Sequence, residues 1–181
     1  MENISEVKEK ILRIIWEKGN RVATDEMSKE MGLTQRAVNI YLRTLRRESL
    51  ITISGNGYLI TVEGKKRLGF PEIDGEKAEK ILRQTSPEDS FNFYMEIDQP
   101  LGVTSHTLID FYEKIETIDT RSIEFHTSRG DFESWIHFLG DIELEERLRL
   151  IRNSDLKGEV LREKLYYTIK SRCDELLERV V

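Results

Sequence analysis

Residues 50–62 read LITISGNGYLITV, and this stretch decides how the first 70 residues fold. Leu50–Ser54 and Tyr58–Val62 are strand-like runs rich in β-branched and aromatic residues, and Gly55-Asn56-Gly57 joins them. An Asn-Gly pair between such runs is the strongest short-range hairpin signal, because a type I′ turn needs two residues at positive φ. Upstream, Thr34 is placed to cap a helix from Gln35 to about Ser49, and Val38, Leu42 and Leu45 recur on one face of it. Before that, Thr24 caps a short helix, Asp25–Met31, with Met27 and Met31 facing inward and Gly32 ending it. A first helix runs from a Ser5 cap to about Lys18, with Val7, Ile11, Ile14 and Ile15 on one face. Leu12 and Trp16 broaden that stripe, and Gly19 stops the helix.

The chain of 181 residues carries a net charge of −6, which argues against a polyanion partner until the charge is mapped. Residues 1–70 hold 13 Lys+Arg against 9 Asp+Glu, a net +4, whereas the remainder holds 15 against 25, a net −10. Phosphate responds to the field within about one Debye length, roughly 8 Å at physiological salt, and not to the total. The asymmetry places a polyanion at the N-terminal end.

Helix, helix, turn, helix, hairpin is the order of a winged helix. The segment VATDEMSKEMGLTQRAVNIYLRTLRRESLITISGNGYLITVEGKKRL, residues 22–68, resembles the winged helix-turn-helix of bacterial and archaeal regulators of the MarR and ArsR kind. The likeness runs through the short helix, the Gly-Leu-Thr turn, the Val-x3-Leu-x2-Leu recognition helix, the Leu-Ile strand start and the helix after the wing. It covers about 70 of 181 residues. Ser49 departs from it, since such sequences often carry Gly there, and strain or a different cap is expected at that position. The resemblance implies a transcriptional regulator that binds double-stranded DNA, with an archaeal source expected. Such regulators usually dimerise, because two recognition helices must reach half-sites about 34 Å apart.

With Val38, Leu42 and Leu45 inward, the opposite face of the third helix shows Gln35, Arg36, Asn39, Ile40 and Arg43. Arg36 or Arg43 suits guanine O6/N7, and Gln35 or Asn39 suits adenine N6/N7. Thr34 and the free N–H groups at the helix start suit a phosphate, as do Arg46, Arg47, Lys65 and Lys66. The alternatives are a solvated polar face, or a winged helix that docks on another protein. The wing tip carries no Arg or Lys, which argues against deep insertion into a minor groove.

The expected fold class is mainly α with small β: a winged helix over 1–70, of three helices plus a hairpin, then a mostly helical acidic domain over 71–181. Leu68–Asp74 reads as the joint. Asp74 caps a helix to about Gln84, Phe91–Ile97 alternates like a strand, and Thr104 or Ser105 caps a helix to about Thr117. Ile123–Phe125 reads equally as strand or helix, Asp131 caps Phe132–Leu139, and Asp141 caps a helix carrying Leu144, Leu148 and Ile151. The last helix, from about Lys157 to Val180, carries Leu161, Leu165, Ile169, Cys173, Leu176 and Val180 as a stripe that suits either its own domain or a second copy.

Within Ser122–Asp141, the residues His126, Arg129, Asp131 and Trp135 are candidates for a pocket that receives a small-molecule or protein effector. There Arg129 would hold an anion and His126 a titratable contact. The competing reading makes Arg129 and Asp131 a helix-start tie and His126 a satisfied core side chain. This region, with the final helix, is loosely similar to a small domain of unassigned function that recurs in archaeal and bacterial chains. An enzyme built on Glu124, His126, Arg129 and Asp131 is the remaining alternative, but no phosphate loop, nucleophile elbow or paired-carboxylate motif appears, so no enzyme and no cofactor are expected. The three histidines lack metal spacing, and Cys173 lies on an apolar stripe, so no metal is expected. No apolar run nears the roughly 18 residues a membrane helix needs, the opening MENISEVKEK lacks a signal peptide's apolar core, and a lone cysteine suits the cytoplasm.

Overall fold

The structure is a computed structural model and describes residues 4–19 and 22–180. It is mainly helical, with two separate two-stranded antiparallel sheets. The chain divides into two units, Met1–Glu72 and Ile73–Val181. No helix among the described residues is long and apolar enough to cross a membrane.

The first unit contains α1 (Ile4–Lys18), α2 (Thr24–Met31), α3 (Gln35–Arg47), β1 (Ile51–Ser54), β2 (Gly57–Ile60) and α4 (Val62–Arg67). Helix α1 begins at Ile4, so Ser5 lies inside its first turn and is not its cap. Ala23, in extended backbone, occupies the cap position of α2, which makes Thr24 the first helical residue. Thr34 does cap α3: its Oγ1 accepts the N–H of Ala37 at 3.2 Å. Val7, Ile11, Leu12, Ile14 and Ile15 of α1 pack with Met27, Val38, Leu42, Leu45 and Ile51 in one core. Each side chain of this kind contributes about 1.5–3 kcal/mol on burial. Trp16 packs against Phe70 in a tilted contact, ring centroids 4.6 Å apart, which ties the end of the unit back to α1.

In the hairpin, Ile51 pairs with Ile60 and Ser54 with Gly57, leaving Gly55 and Asn56 as a two-residue loop. Only Gly55 has positive φ, at 58°, so the turn follows the II′ pattern with Gly first and not the expected I′. The register causes this, because it draws Gly57 into the strand. Val22 adds a third rung, exchanging N–H···O bonds with Tyr58 in both directions. The expected strain at Ser49 is present: its φ is 59°, a left-handed conformation that disfavours a Cβ. Its carbonyl accepts the Thr61 hydroxyl at 2.7 Å, and Thr61 Oγ1 in turn accepts the N–H of Gly64 at 3.0 Å. At Gly64 a Cβ would sit 2.1 Å from the Leu50 carbonyl oxygen, so α4 can pack this closely only on a glycine.

The second unit contains α5 (Gly75–Leu82), β3 (Phe91–Glu96), β4 (Gln99–Ser105), α6 (Leu108–Thr117), α7 (Thr120–Arg129), α8 (Asp131–Leu139), α9 (Ile142–Arg152) and α10 (Gly158–Val180). Strand β4 was not expected, because Pro100 and Gly102 break its alternation. Leu101–Val103 bulge opposite the single residue Phe93, with Gly102 at φ 67°. Thr107, and not Thr104 or Ser105, caps α6. Asp74 and Asp141 cap α5 and α9 as expected, Asp141 accepting the N–H of Leu144 at 3.0 Å. Ile123–Phe125 is helical, inside α7. Gly130, at φ 74°, ends α7 and starts α8, so Asp131 is the first residue of α8 and its side chain is free for other work.

The apolar stripe of α10 is spent inside this unit, except that its last expected member, Val180 at the helix end, is 45 % exposed and does not belong to it. Leu161, Leu165, Ile169, Cys173 and Leu176 are each at most 2 % exposed, and α10 packs against α5, α6, α7 and α9. A second copy therefore cannot use that stripe. Arg172 lies on the same buried side, with Nε and Nη2 donating to Asp141 at 2.6 and 3.0 Å and Nη1 3.2 Å from Glu143. Burial alone would lower its pKa, but Asp141, Glu143 and Glu175 together outweigh that and raise it.

Two stability outcomes follow from this geometry. Ser49→Gly relieves the left-handed strain and should raise the stability of the first unit by about 0.5–1 kcal/mol in urea titration. Arg172→Met strands the fully buried carboxylate of Asp141, while Glu143 keeps Arg147, and should cost about 3–5 kcal/mol in the second unit.

Candidate functional site

The outward face of α3 is built by the inward one. Val38, Leu42 and Leu45 are each no more than 1 % exposed, which fixes the helix rotation. At 100° per residue, Arg36, Ile40, Arg43 and Arg47 fall within about 60° of one another and point directly away from that core. All four are exposed. Gln35, Asn39 and Arg46 flank this stripe on one side, with Asn39 partly covered. Among the described residues, Arg36, Arg43, Arg46 and Arg47 make no ion pair or side-chain hydrogen bond. Four guanidinium groups thus stand on one exposed helix without a neutralising carboxylate, while Glu48 beside them is taken by Lys8 at 2.6 Å.

Thr34 starts this helix but spends its hydroxyl oxygen on the Ala37 amide. The unpaired N–H groups of the first turn still point out along the axis. Lys65 and Lys66 lie on α4 and not on the stripe. Lys66 Nζ is 3.0 Å from Glu63 and 2.6 Å from Glu72, and these bonds, to Glu72 first, raise its pKa. A phosphate at Lys66 would have to displace both carboxylates.

In the second unit, the structure brings together three of the four expected pocket residues. His126, Arg129 and Asp131 line an open cleft of about 490 Å³, with Phe125 on α7 and with Asn92, Tyr94 and Glu96 on β3. Trp135 is elsewhere, with its Nε1 donating to the Asp89 carbonyl at 2.9 Å and its ring 4.9 Å from Phe111. Glu124 is also elsewhere: its Oε1 accepts the N–H of Gly158 at 2.7 Å, at the start of α10. The expectation missed Asn92, Tyr94 and Glu96, yet a signal was present. They are the alternate positions of the strand whose other face carries Phe91 and Phe93.

His126 is 3 % exposed and both ring nitrogens are engaged. Nε2 accepts the backbone N–H of Tyr94 at 2.8 Å, and Nδ1 is 2.8 Å from Asp131 Oδ2. A backbone amide can only donate, so Nε2 carries no proton and Nδ1–H donates to the carboxylate. Burial holds the His126 pKa below its ordinary value, against the opposing bond from Asp131. Arg129 Nε also donates to Asp131 Oδ2, at 3.1 Å, and its guanidinium lies 5.0 Å above the Phe125 ring. Glu96, Asp98 and Asp131 give the cleft three carboxylates to one guanidinium, a balance that opposes the anion expected at Arg129. Among the described residues, no group of three or more His, Cys, Asp or Glu is arranged to hold a metal ion.

Comparison with protein families, with curated proteins and with solved structures found no match.

Folding keeps His126 neutral, whereas the unfolded chain takes up a proton near its ordinary pKa of about 6.5. The stability tied to this site is complete above that value and is lost as pH falls toward the folded pKa, by up to about 1.4 kcal/mol per pH unit. With Trp16→Phe leaving Trp135 as the reporter, urea unfolding at about pH 7.5 and about pH 5.5 should show a larger acid loss than His126→Gln shows. Equal losses would mean that His126 does not couple proton uptake to folding.

Proposed function

We propose that residues 1–70 are a winged-helix DNA-binding domain and that the protein is a sequence-specific transcriptional regulator acting on double-stranded DNA. The observation that carries this reading is the outward stripe of α3, with Arg36, Arg43 and Arg47 exposed and unneutralised opposite a fully buried core face. An α-helix fits the major groove, and its N-terminal half reaches base edges. In this reading Arg36 and Arg43 contact guanine and Gln35 and Asn39 contact adenine. Arg46, Arg47 and Lys65 meet phosphates, the first-turn amides above Thr34 take another, and Lys66 exchanges Glu63 and Glu72 for one. The loop Gly55-Asn56 carries no cation, so the wing tip adds little to affinity.

The protein acts in this proposal as a cytoplasmic homodimer, since two copies of α3 are needed to span half-sites about 34 Å apart. The contact uses a surface other than the buried stripe of α10. The cleft beside Phe125 and Arg129 is the place offered to an effector, one without net negative charge given its three carboxylates.

Selection of bound duplexes from fragmented genomic DNA, followed by footprinting, should return a two-fold symmetric site. Neutralising about 8 phosphates per dimer gives a slope of log K against log salt of about −7. Arg36→Ala and Arg43→Ala should each weaken specific binding by about 1–3 kcal/mol and relax base preference, with smaller losses on random duplex. Equal losses on both would show that these side chains read no bases. Absence of any shifted duplex would turn the reading toward a winged helix that docks on protein.

A further inference from the structure

Among the four residues of α3 that point directly away from its core, one is not polar. Ile40 is 55 % exposed, and it stands in line with Arg36 one turn before it and Arg43 and Arg47 one and two turns after. Nothing in the fold accounts for it. Isoleucine is β-branched and a weaker helix former than the Lys, Glu or Ala that an idle surface position favours. It joins no core cluster, and solvent meets it between guanidinium groups. An apolar side chain held among cations, on the face offered to a polyanion, suits a partner that presents an apolar group inside an anionic frame. The DNA major groove does this at one base only, because thymine exposes its C5 methyl there while every other base edge shows polar atoms.

We infer that Ile40 is a specificity-determining residue that packs against a thymine C5 methyl in the major groove, between the bases read by Arg36 and Arg43. The inference rests on the DNA-binding reading above. It adds a base identity to it: a thymine, on one strand or the other, at the centre of each half-site. Isoleucine selects thymine over cytosine through the methyl alone. No hydrogen bond from residue 40 is involved, so the preference survives any change that keeps the methyl and is lost by any change that removes it.

The test uses the full chain and the duplex recovered by selection. Each thymine is replaced in turn by deoxyuridine, which keeps the base pair and deletes the methyl. At one thymine per half-site, wild-type affinity should fall about fourfold, the worth of one buried methyl. Ile40→Ala should bind the thymine duplex with a similar loss and should be indifferent to deoxyuridine at that position. Ile40→Ala should also unfold at the same urea concentration as wild type or slightly higher, since the side chain joins no core cluster and Ala favours helix. The inference is overturned if every deoxyuridine duplex binds wild type as tightly as the parent, or if Ile40→Ala keeps the full deoxyuridine penalty. A clear loss of stability in Ile40→Ala would assign the side chain to packing and would also overturn it. If wild type shifts no duplex, the DNA-binding reading itself fails and takes this one with it, whereas binding without methyl sensitivity removes this one alone.

Discussion

Val38, Leu42 and Leu45 lie on one line of α3, and their burial sets the rotation of that helix about its own axis. A turn of even 60° would bring an arginine against the core or expose a leucine, and exposing the leucine alone costs about 1.5–3 kcal/mol. The core of the first unit therefore chooses which side chains face outward, and the proposed chemistry of the surface is a by-product of packing. Thr34 fixes where the helix begins, and Ser49 fixes where it ends by accepting a left-handed backbone. The thirteen residues of α3 itself carry five arginine-or-isoleucine side chains outward without a carboxylate among them.

The second unit is held by a different device. Its bonds at His126 join three chain segments: β3 through the Tyr94 amide, α7 through the ring itself and α8 through Asp131. Neutral imidazole is suited to this because it donates from one nitrogen and accepts at the other. Around it Phe91, Phe93, Phe111 and Phe132 form edge-to-face and tilted contacts, so the imidazole sits in an aromatic setting while Asp131 reaches the open cleft. Arg172 plays the matching part at the other side of the unit, joining α10 to the start of α9 through Asp141.

Much of this was legible from residues alone, and the failures have physical causes. The hairpin at 50–62 could be read because alternation and Gly-Asn-Gly agree, but the turn type could not, since pairing of Ser54 with Gly57 decides which two residues form the loop. Asp131 looked like a cap because aspartate often is one. Gly130 took that place, and the aspartate was drawn to His126 and Arg129. The members of the cleft contributed by β3 could be placed on a strand face but not beside α7, because that contact spans more than thirty residues. Strand β4 escaped because its bulge destroys the period of two. The stripe of α10 was visible in sequence, yet only the positions of α5, α6, α7 and α9 show what covers it.

Cys173 sits at the heart of that covered stripe, 1 % exposed, with burial pushing its thiol up to about 12. Such a sulfur is almost never a thiolate near neutral pH, and reagents cannot reach it while the unit is folded. Toward maleimides and iodoacetamides the native chain thus behaves as if it contained no cysteine at all. A dye or spin label directed to a cysteine introduced elsewhere would report from that place alone, without the parent thiol first being removed.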